Sequence, residues 1–171
     1  KMINLGIIGI SNGNGHPYSW SAIINGYSNE YLDNCPYAVI RKYLRKSSFP
    51  ENKIDDVRVT NIWTQDKKES KRIAEMSLIT NVENNYHDLV GKVDGVLLAR
   101  DDYESHYTIS KPFIQAGVPI YIDKPIATSV TSLKKIFNQQ KYKGQIFTCS
   151  ALKYAKEFTL SNSEIESYGT I

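Results

Sequence analysis

Short apolar runs alternate with longer segments of mixed polarity along most of this chain, regularly enough to predict its elements. Ile3 to Ile8 is rich in β-branched residues and bounded by Gly9, the pattern of a central strand buried on both faces. Val57–Trp63, a short stretch at Val82, Asp94–Ala99, Val118–Ile122 and Gln145–Thr148 read as five further strands. Helical spacing fills the intervals. His16-Pro17-Tyr18 leads into a helix over Ser19–Ile24, with Pro in the first turn and Gly26 as its stop. Pro36–Arg45 resembles a short amphipathic helix, and Lys46–Asp56 an exposed loop. Asp66 can cap a helix running through Glu69, Ile73 and Ala74 to Met76. Asn85–Val90 gives a short helix and Tyr103–Ala116 a long one closed by Gly117. Thr128 or Ser129 caps another through Leu133 and Phe137 to about Gln140, and Ala151–Phe158 has helical character.

Strands separated by helices, with crossovers long enough to return over the sheet, predict βαβ units. The fold class is therefore α/β, a doubly wound parallel sheet of the Rossmann type. Ligands of such sheets gather beyond the carboxyl ends of the strands. The chemistry should lie at Gly9–Gly15, Trp63–Asp66, Arg100–His106 and Asp123–Pro125.

Composition narrows the function classes. A chain of 171 residues suits one domain, or one domain and the beginning of another. Lys plus Arg is 21 and Asp plus Glu is 18, and the resulting +3 is too small and too dispersed for a nucleic-acid surface. It would not oppose an anionic cofactor. Cys35 and Cys149 are far apart, and the three histidines form no cluster with them, which argues against a metal centre. Unpaired thiols, a start directly on a strand pattern and no apolar run approaching the ~18 residues of a membrane span point to a cytoplasmic protein.

The first strand end, Ile10-Ser11-Asn12-Gly13-Asn14-Gly15, is turn chemistry between a strand and a helix. Its backbone amides and the following helix N-terminus would suit a phosphate, with His16 close by. The glycines do not keep GxGxxG spacing: counted from Gly9, Ser11 stands at the second position and Asn14 at the third, with Gly13 and Gly15 out of register. The loop alone fits either a dinucleotide site or an ordinary tight connection, and it lacks the GK[ST] of a Walker A loop. At the second strand end Thr64 occupies the place where an acid usually meets the ribose, beside Gln65, while Asp66 is more simply a cap. Arg72 lies too far inside its helix to clamp a 2′-phosphate. Cofactor preference between NAD and NADP stays open. The tyrosines and Trp20 could stack on a sugar ring, but Trp20 is expected in the core, and His16 and His87 in loops or at the surface.

The third and fourth strand ends say more. Val93-Asp94-Gly95-Val96-Leu97-Leu98-Ala99-Arg100-Asp101-Asp102 leads to His106, and Ala116-Gly117-Val118-Pro119-Ile120-Tyr121-Ile122 leads to Asp123-Lys124-Pro125. In order and spacing these stretches resemble the VDAVxVATPxxxH-like and AGKHVxxEKPxA-like segments of the glucose–fructose oxidoreductase, inositol dehydrogenase and MocA family. The likeness extends from Ile3 to Thr148, and Lys153-Tyr154 resembles the Arg-Tyr pair that often follows the sixth strand. The resemblance implies an NAD(P)-dependent dehydrogenase of a sugar, cyclitol or nucleotide-sugar.

It implies that Lys124, at the lysine of EKP, lies beside the nicotinamide ribose and the reacting hydroxyl as the catalytic residue. Asp123 replaces the Glu of that motif, and Pro125 holds its turn. Gly9, Ser11, Asn12, Gly13, Gly15, His16, Thr64, Gln65, Ala99, Arg100, His106, Asp123, Lys124 and Pro125 make up the implied cofactor contacts. Arg100-Asp101 replaces the usual Thr-Pro, and the segment from Tyr27 to Asp56 looks like an insertion. Residues 1–150 would then be the cofactor domain, and 151–171 the linker and start of a substrate domain that forms a homo-oligomer and supplies substrate contacts, usually with an acid–base histidine or aspartate. Lys124 also stands on chemistry: a cation beside an alcohol losing hydride stabilises developing alkoxide character, and a desolvated lysine can share in proton transfer. Its ordinary alternative is a surface Lys-Pro turn. The rival functions are a non-catalytic dinucleotide-binding module and a different Rossmann-like nucleotide-dependent enzyme.

Overall fold

The computed structural model describes residues 1–48 and 51–169. Six parallel strands form one sheet in the order β3-β2-β1-β4-β5-β6, the doubly wound arrangement. They are β1 Ile3–Ile8, β2 Val57–Trp63, β3 Asn81–Val82, β4 Gly95–Leu98, β5 Ile120–Ile122 and β6 Ile146–Phe147. β1 pairs with β2 from Ile3↔Val57 to Ile8↔Trp63 with one irregularity at Leu5/Gly6, and with β4 from Leu5↔Gly95 to Ile8↔Leu98.

Period-two alternation, shifted once in β2 by the irregularity opposite Leu5/Gly6, splits the strands between two cores. Ile7, Val59 and Ile62 face one side, where Tyr18 and Ala22 of α1 (His16–Asn25) and Ile73 and Met76 of α3 (Lys67–Met76) cover them. Ile8, Val96, Leu98, Ile120 and Ile122 face the other, under Ile109, Phe113 and Ile114 of α4 (Tyr103–Ala116) and Ile136 of α5 (Val130–Phe137). Two buried amides tie elements together where no ladder can. Asn25 donates to the carbonyls of Val59 and Ser77, each at 2.9 Å, and accepts from the Val59 amide at 2.9 Å. Gln145 donates to the Ile114 carbonyl at 2.8 Å and accepts from the Lys141 amide at 2.8 Å.

The predicted caps hold: Asp66 accepts from the Lys68 amide, Ser129 from the Ser132 amide, and Gly117 closes α4 in the left-handed region. Several expectations are corrected in extent. The Asn85–Val90 segment is a 3-10 turn over Tyr86–Leu89, Ala151–Phe158 splits into two such turns, α5 ends at Phe137, and β6 is limited to Ile146–Phe147. A short helix over Asn162–Ser167 (α6) follows. The predicted loop at 46–56 is partly outside the described residues, at Phe49 and Pro50, as are Thr170 and Ile171.

The insertion contributes a 3-10 turn at Leu32–Asn34 and α2 (Ala38–Lys46), whose Leu44 is fully buried. A side chain on Gly15 would strike Ile40 at 2.5 Å and Tyr37 at 2.9 Å, so the insertion packs directly on the first loop. The other half of the sheet is barer. On the α1 side of β4–β6, Leu97 and Tyr121 are half-buried and Phe147 is 50% exposed. Among the described residues, no helix is long and apolar enough to cross a membrane.

Candidate active site

The carboxyl ends of β1, β2, β4 and β5 converge as the topology requires. Gly9 sits so close to Pro17 that a Cβ there would lie 2.3 Å from the proline ring, which is how α1 starts immediately beside the strand end. The loop turns back through an Asn14 amide bond to the Ser11 carbonyl at 3.1 Å, with Gly13 at φ 80° and open space before it. The N-cap of α1 is Gly15, which has no side chain to cap it, and the first turn carries no acid. Among the described residues, the amides of Ser11, Asn12, Gly13 and Gly15 have no hydrogen-bond partner. Unbonded loop amides leading into a helix N-terminus suit a phosphate. Asp101, which accepts from the Ser11 hydroxyl, closes the loop against the end of β4 and sets one negative charge at its margin.

Asn14, at the third glycine position, faces the other way. Its Nδ2 donates to Asp123 Oδ2 at 3.0 Å, and its Oδ1 accepts from the His16 amide at 2.8 Å. His16 Nδ1 is bonded to the same Asp123 oxygen, and the Lys124 amide donates to Oδ1 at 2.8 Å. Asp123 is 1% exposed. Burial by itself would raise its pKa; the hydrogen bonds from His16 and Asn14, the nearby imidazole and the Lys124 amide together outweigh it and hold the carboxyl below its ordinary value. Asp123 is thus an ionised acceptor, and the proton in the His16 pair resides on Nδ1.

His16 and Trp20 stack with ring centroids 4.6 Å apart, and Trp20 meets Tyr121 edge-on at 5.2 Å. These rings line a cavity of about 390 Å³ with Asp123, Lys124, Cys149 and Tyr154. Trp20 is therefore half-buried, packed against the core as expected while also walling the cavity, and His16 is a structured helix-start residue rather than a surface one. Lys124 is exposed at this cavity, and its ammonium has no partner among the described residues. The Tyr121 hydroxyl donates to the Cys149 carbonyl at 2.9 Å, and burial followed by the Cys149 contact pushes its pKa up to about 12. The Lys124–Pro125 peptide is cis.

At the β2 end the polar groups are taken by protein. The Thr64 hydroxyl donates to the Asp66 carbonyl at 2.6 Å and lies 2.8 Å from Ser70 Oγ. Gln65 accepts from the Ile10 amide at 3.0 Å and from Arg100 Nη1 at 2.9 Å, bracing the first loop from β2. Arg100 also grips Asp102 in a fork, Nε at 2.8 Å and Nη2 at 2.7 Å. Burial would raise the Asp102 pKa, but the Arg100 hydrogen bonds and charge lower it on balance. Arg72, as expected from its place inside α3, pairs with Glu69, at 2.7 Å.

Of the residues predicted from sequence, Gly9, Ser11, Asn12, Gly13, Gly15, His16, Gln65, Arg100, Asp123, Lys124 and Pro125 come to this edge. Ala99 is fully buried just beneath. Thr64 and His106 stand behind it. Both ring nitrogens of the fully buried His106 face backbone carbonyls, Nδ1 to Ile126 at 3.0 Å and Nε2 to Arg100 at 2.8 Å, so it braces two strand-end loops. Asn14, Trp20 and Tyr121 were missing from the predicted contacts. For Asn14 the signal was present: a polar amide at a glycine position needs a partner.

A family model described as an oxidoreductase family with an NAD-binding Rossmann fold matches residues 3–150. Among solved structures, scyllo-inositol dehydrogenase from Lactobacillus casei with bound NAD(H) and scyllo-inositol is similar over 98% of this chain and 42% of its own, at 13% identity and TM-score 0.64. Myo-inositol 2-dehydrogenase from Lactobacillus plantarum is similar over 100% of this chain and 43% of its own, at 14% identity and TM-score 0.61. A dehydrogenase from Clostridium difficile aligns over 81% and 36%, at 22% identity and TM-score 0.54. At these identities the likeness is one of fold, and the chain spans well under half the length of each. No curated protein matches it in sequence.

Proposed function

The chain belongs to the Gfo/Idh/MocA oxidoreductase family, with its NAD-binding Rossmann fold, and from that membership we propose that it supplies the cofactor-binding part of an NAD(P)-dependent dehydrogenase acting on a hydroxyl or carbonyl of a sugar, cyclitol or nucleotide-sugar. The observation that carries the reading is the pairing of a phosphate-ready first loop with a free Lys124 ammonium at a neighbouring cavity. The dinucleotide supplies a hydride acceptor; the protein's part is to bind, orient and move a proton. The amides of Ser11, Asn12, Gly13 and Gly15 would hold the pyrophosphate. Trp20 and Tyr121 would wall the cavity against water. Lys124 would stabilise negative charge on the alcohol oxygen as hydride leaves. Residues 1–150 form the cofactor domain in this reading, and 151–171 lead towards residues that complete the substrate site; Leu152, Tyr154 and Phe158 are each more than 60% exposed there.

Thermal unfolding with NAD(H) and NADP(H) tests the proposal. A dinucleotide at 100 times its Kd stabilises the folded state by about 2.7 kcal/mol, which in a chain of this size raises Tm by roughly 5–10 °C. An unchanged Tm at millimolar concentrations of both cofactors, in folded protein, would sink the reading.

A further inference from the structure

The insertion between α1 and β2 brings to the first loop a donor that the described residues leave unused. Tyr37, at the start of α2, lays its ring against Gly15: a Cβ there would meet the ring Cδ2 at 2.9 Å and Cγ at 3.0 Å. The residue is half-buried and firmly held. Its carbonyl accepts from the Ile40 and Arg41 amides at 3.1 and 3.2 Å, and its ring meets Tyr18 edge-on with centroids 5.9 Å apart. Leu32, Cys35 and Leu44 anchor the insertion in the core. The Tyr37 hydroxyl has no partner among the described residues. Two carboxylates lie close enough to act on it, Glu69 on α3 and Asp101 at the loop margin, and both are engaged elsewhere. Glu69 accepts from Tyr18 and from Arg72, each at 2.7 Å, and Asp101 accepts from Ser11. Burial first, then Glu69, the Cys35 thiol and Asp101, raise the Tyr37 pKa, so the hydroxyl keeps its proton and remains a donor.

A ring that only packed on Gly15 and Tyr18 would need no hydroxyl, and phenylalanine would serve. On the functional reading above, we infer that the insertion belongs to the dinucleotide site: the Tyr37 hydroxyl donates to the pyrophosphate held by the amides of Ser11, Asn12, Gly13 and Gly15, and its ring is the outer wall of that subsite. The ligand chemistry matches the groups left over. The free loop amides and the free hydroxyl are all donors, Gly15 joins the two sets, and a pyrophosphate offers only acceptors. A donor on this side matters because Asp101 sets a negative charge at the loop margin, which a bound anion has to tolerate. Tyr37 does not line the cavity beside Lys124, so what it sets is how tightly the cofactor is held.

Tyr37→Phe in the full chain keeps the ring and removes the donor. The NADH Kd, followed by protein fluorescence, should rise about tenfold or more, as expected for a lost hydrogen bond to a charged group. ADP-ribose, which carries the pyrophosphate without the nicotinamide, should lose the same factor. Adenosine, which carries no phosphate, should compete equally well in both proteins. Tm without ligand should stay within about 2 °C, because the packing is kept. In the unaltered protein, amide hydrogen exchange over residues 36–41 should slow when NADH or ADP-ribose saturates it, a readout that does not depend on the variant. NADH affinity within about twofold in Tyr37→Phe, tighter binding in that variant, an equal loss with adenosine, or exchange over 36–41 indifferent to both ligands would overturn the inference and leave the functional reading standing. An unaltered protein that binds neither NADH nor NADPH would overturn both.

Discussion

At the β1–β5 end of the site a carboxylate is withdrawn from water and tied by donors from three residues, whereas at the β2–β4 end the carboxylates stay at or near the surface. The outcomes differ in what is left over. Asp123 absorbs His16, Asn14 and a backbone amide and leaves two groups without a partner among the described residues, Nε2 of His16 and the Lys124 ammonium. Gln65, Arg100, Asp102 and Asp66 satisfy one another or the backbone and leave little for a ligand. On the proposed function the first end carries the chemistry and the second holds loops. The comparison also explains why cofactor preference does not follow from the β2 end: Asp66 caps α3, and Arg100 is already paired with Asp102.

Lys124 gives the largest expected effect. Lys124→Met keeps the stem and removes the charge. On the proposed role kcat falls by roughly 10²–10³, while the dinucleotide Kd, followed by protein fluorescence, changes less than threefold. Unchanged kcat would return Lys124 to an ordinary surface turn and remove the contrast between the two ends.

Stability should separate the two buried environments. Asp123→Ala strands the nearly buried Asn14 amide and the Lys124 N–H, at a cost of about 2–3 kcal/mol. Asp102→Ala, whose side chain is 34% exposed, should cost no more than about 1 kcal/mol. Urea unfolding of both variants reads the difference. Acid unfolding sharpens it further. The Asp123 pKa is depressed in the folded state, so its contribution is complete above the ordinary value of 3.8 and is lost as pH falls through the lower folded value. Asp123→Asn lacks that group, so its Tm should fall less steeply than that of the unaltered protein in this acid range. Parallel curves would mean that the buried carboxylate is not held low by its neighbours.

The strand ends were legible in sequence to very different degrees. The Val118–Pro125 stretch carries a strand, its stop and the lysine turn within eight consecutive positions, and local pattern suffices. The partners of Asp123 are 107 and 109 residues away, and no local window contains them. They become neighbours only because β1 and β5 lie on the same side of one sheet with β4 between them. The α2 helix was visible as an amphipathic stretch, but its packing on Gly15 was not, since periodicity says which face is apolar and not what it meets. Tyr86–Leu89 and the turns after Ser150 were read as helical because, over four residues, i+3 and i+4 bonding leave the same apolar spacing. Trp20 packs against the core as its size favours, but that it also walls a cavity follows only from the open half of the sheet beside α1.

Asp66 is the smallest and cleanest discriminator between the two ends. It stands one strand end away from the first loop, where an acid could meet a ribose, yet its Oδ1 accepts from the Lys68 amide at 2.8 Å and starts α3. A capping carboxylate lost to alanine costs about 1 kcal/mol; a ribose ligand would cost cofactor affinity. Asp66→Ala should therefore lower the unfolding free energy by that amount and leave the NADH Kd within twofold. Should affinity instead fall tenfold with stability intact, the β2 end would be part of the binding surface after all, because the side chain would have to leave its cap to reach the ligand.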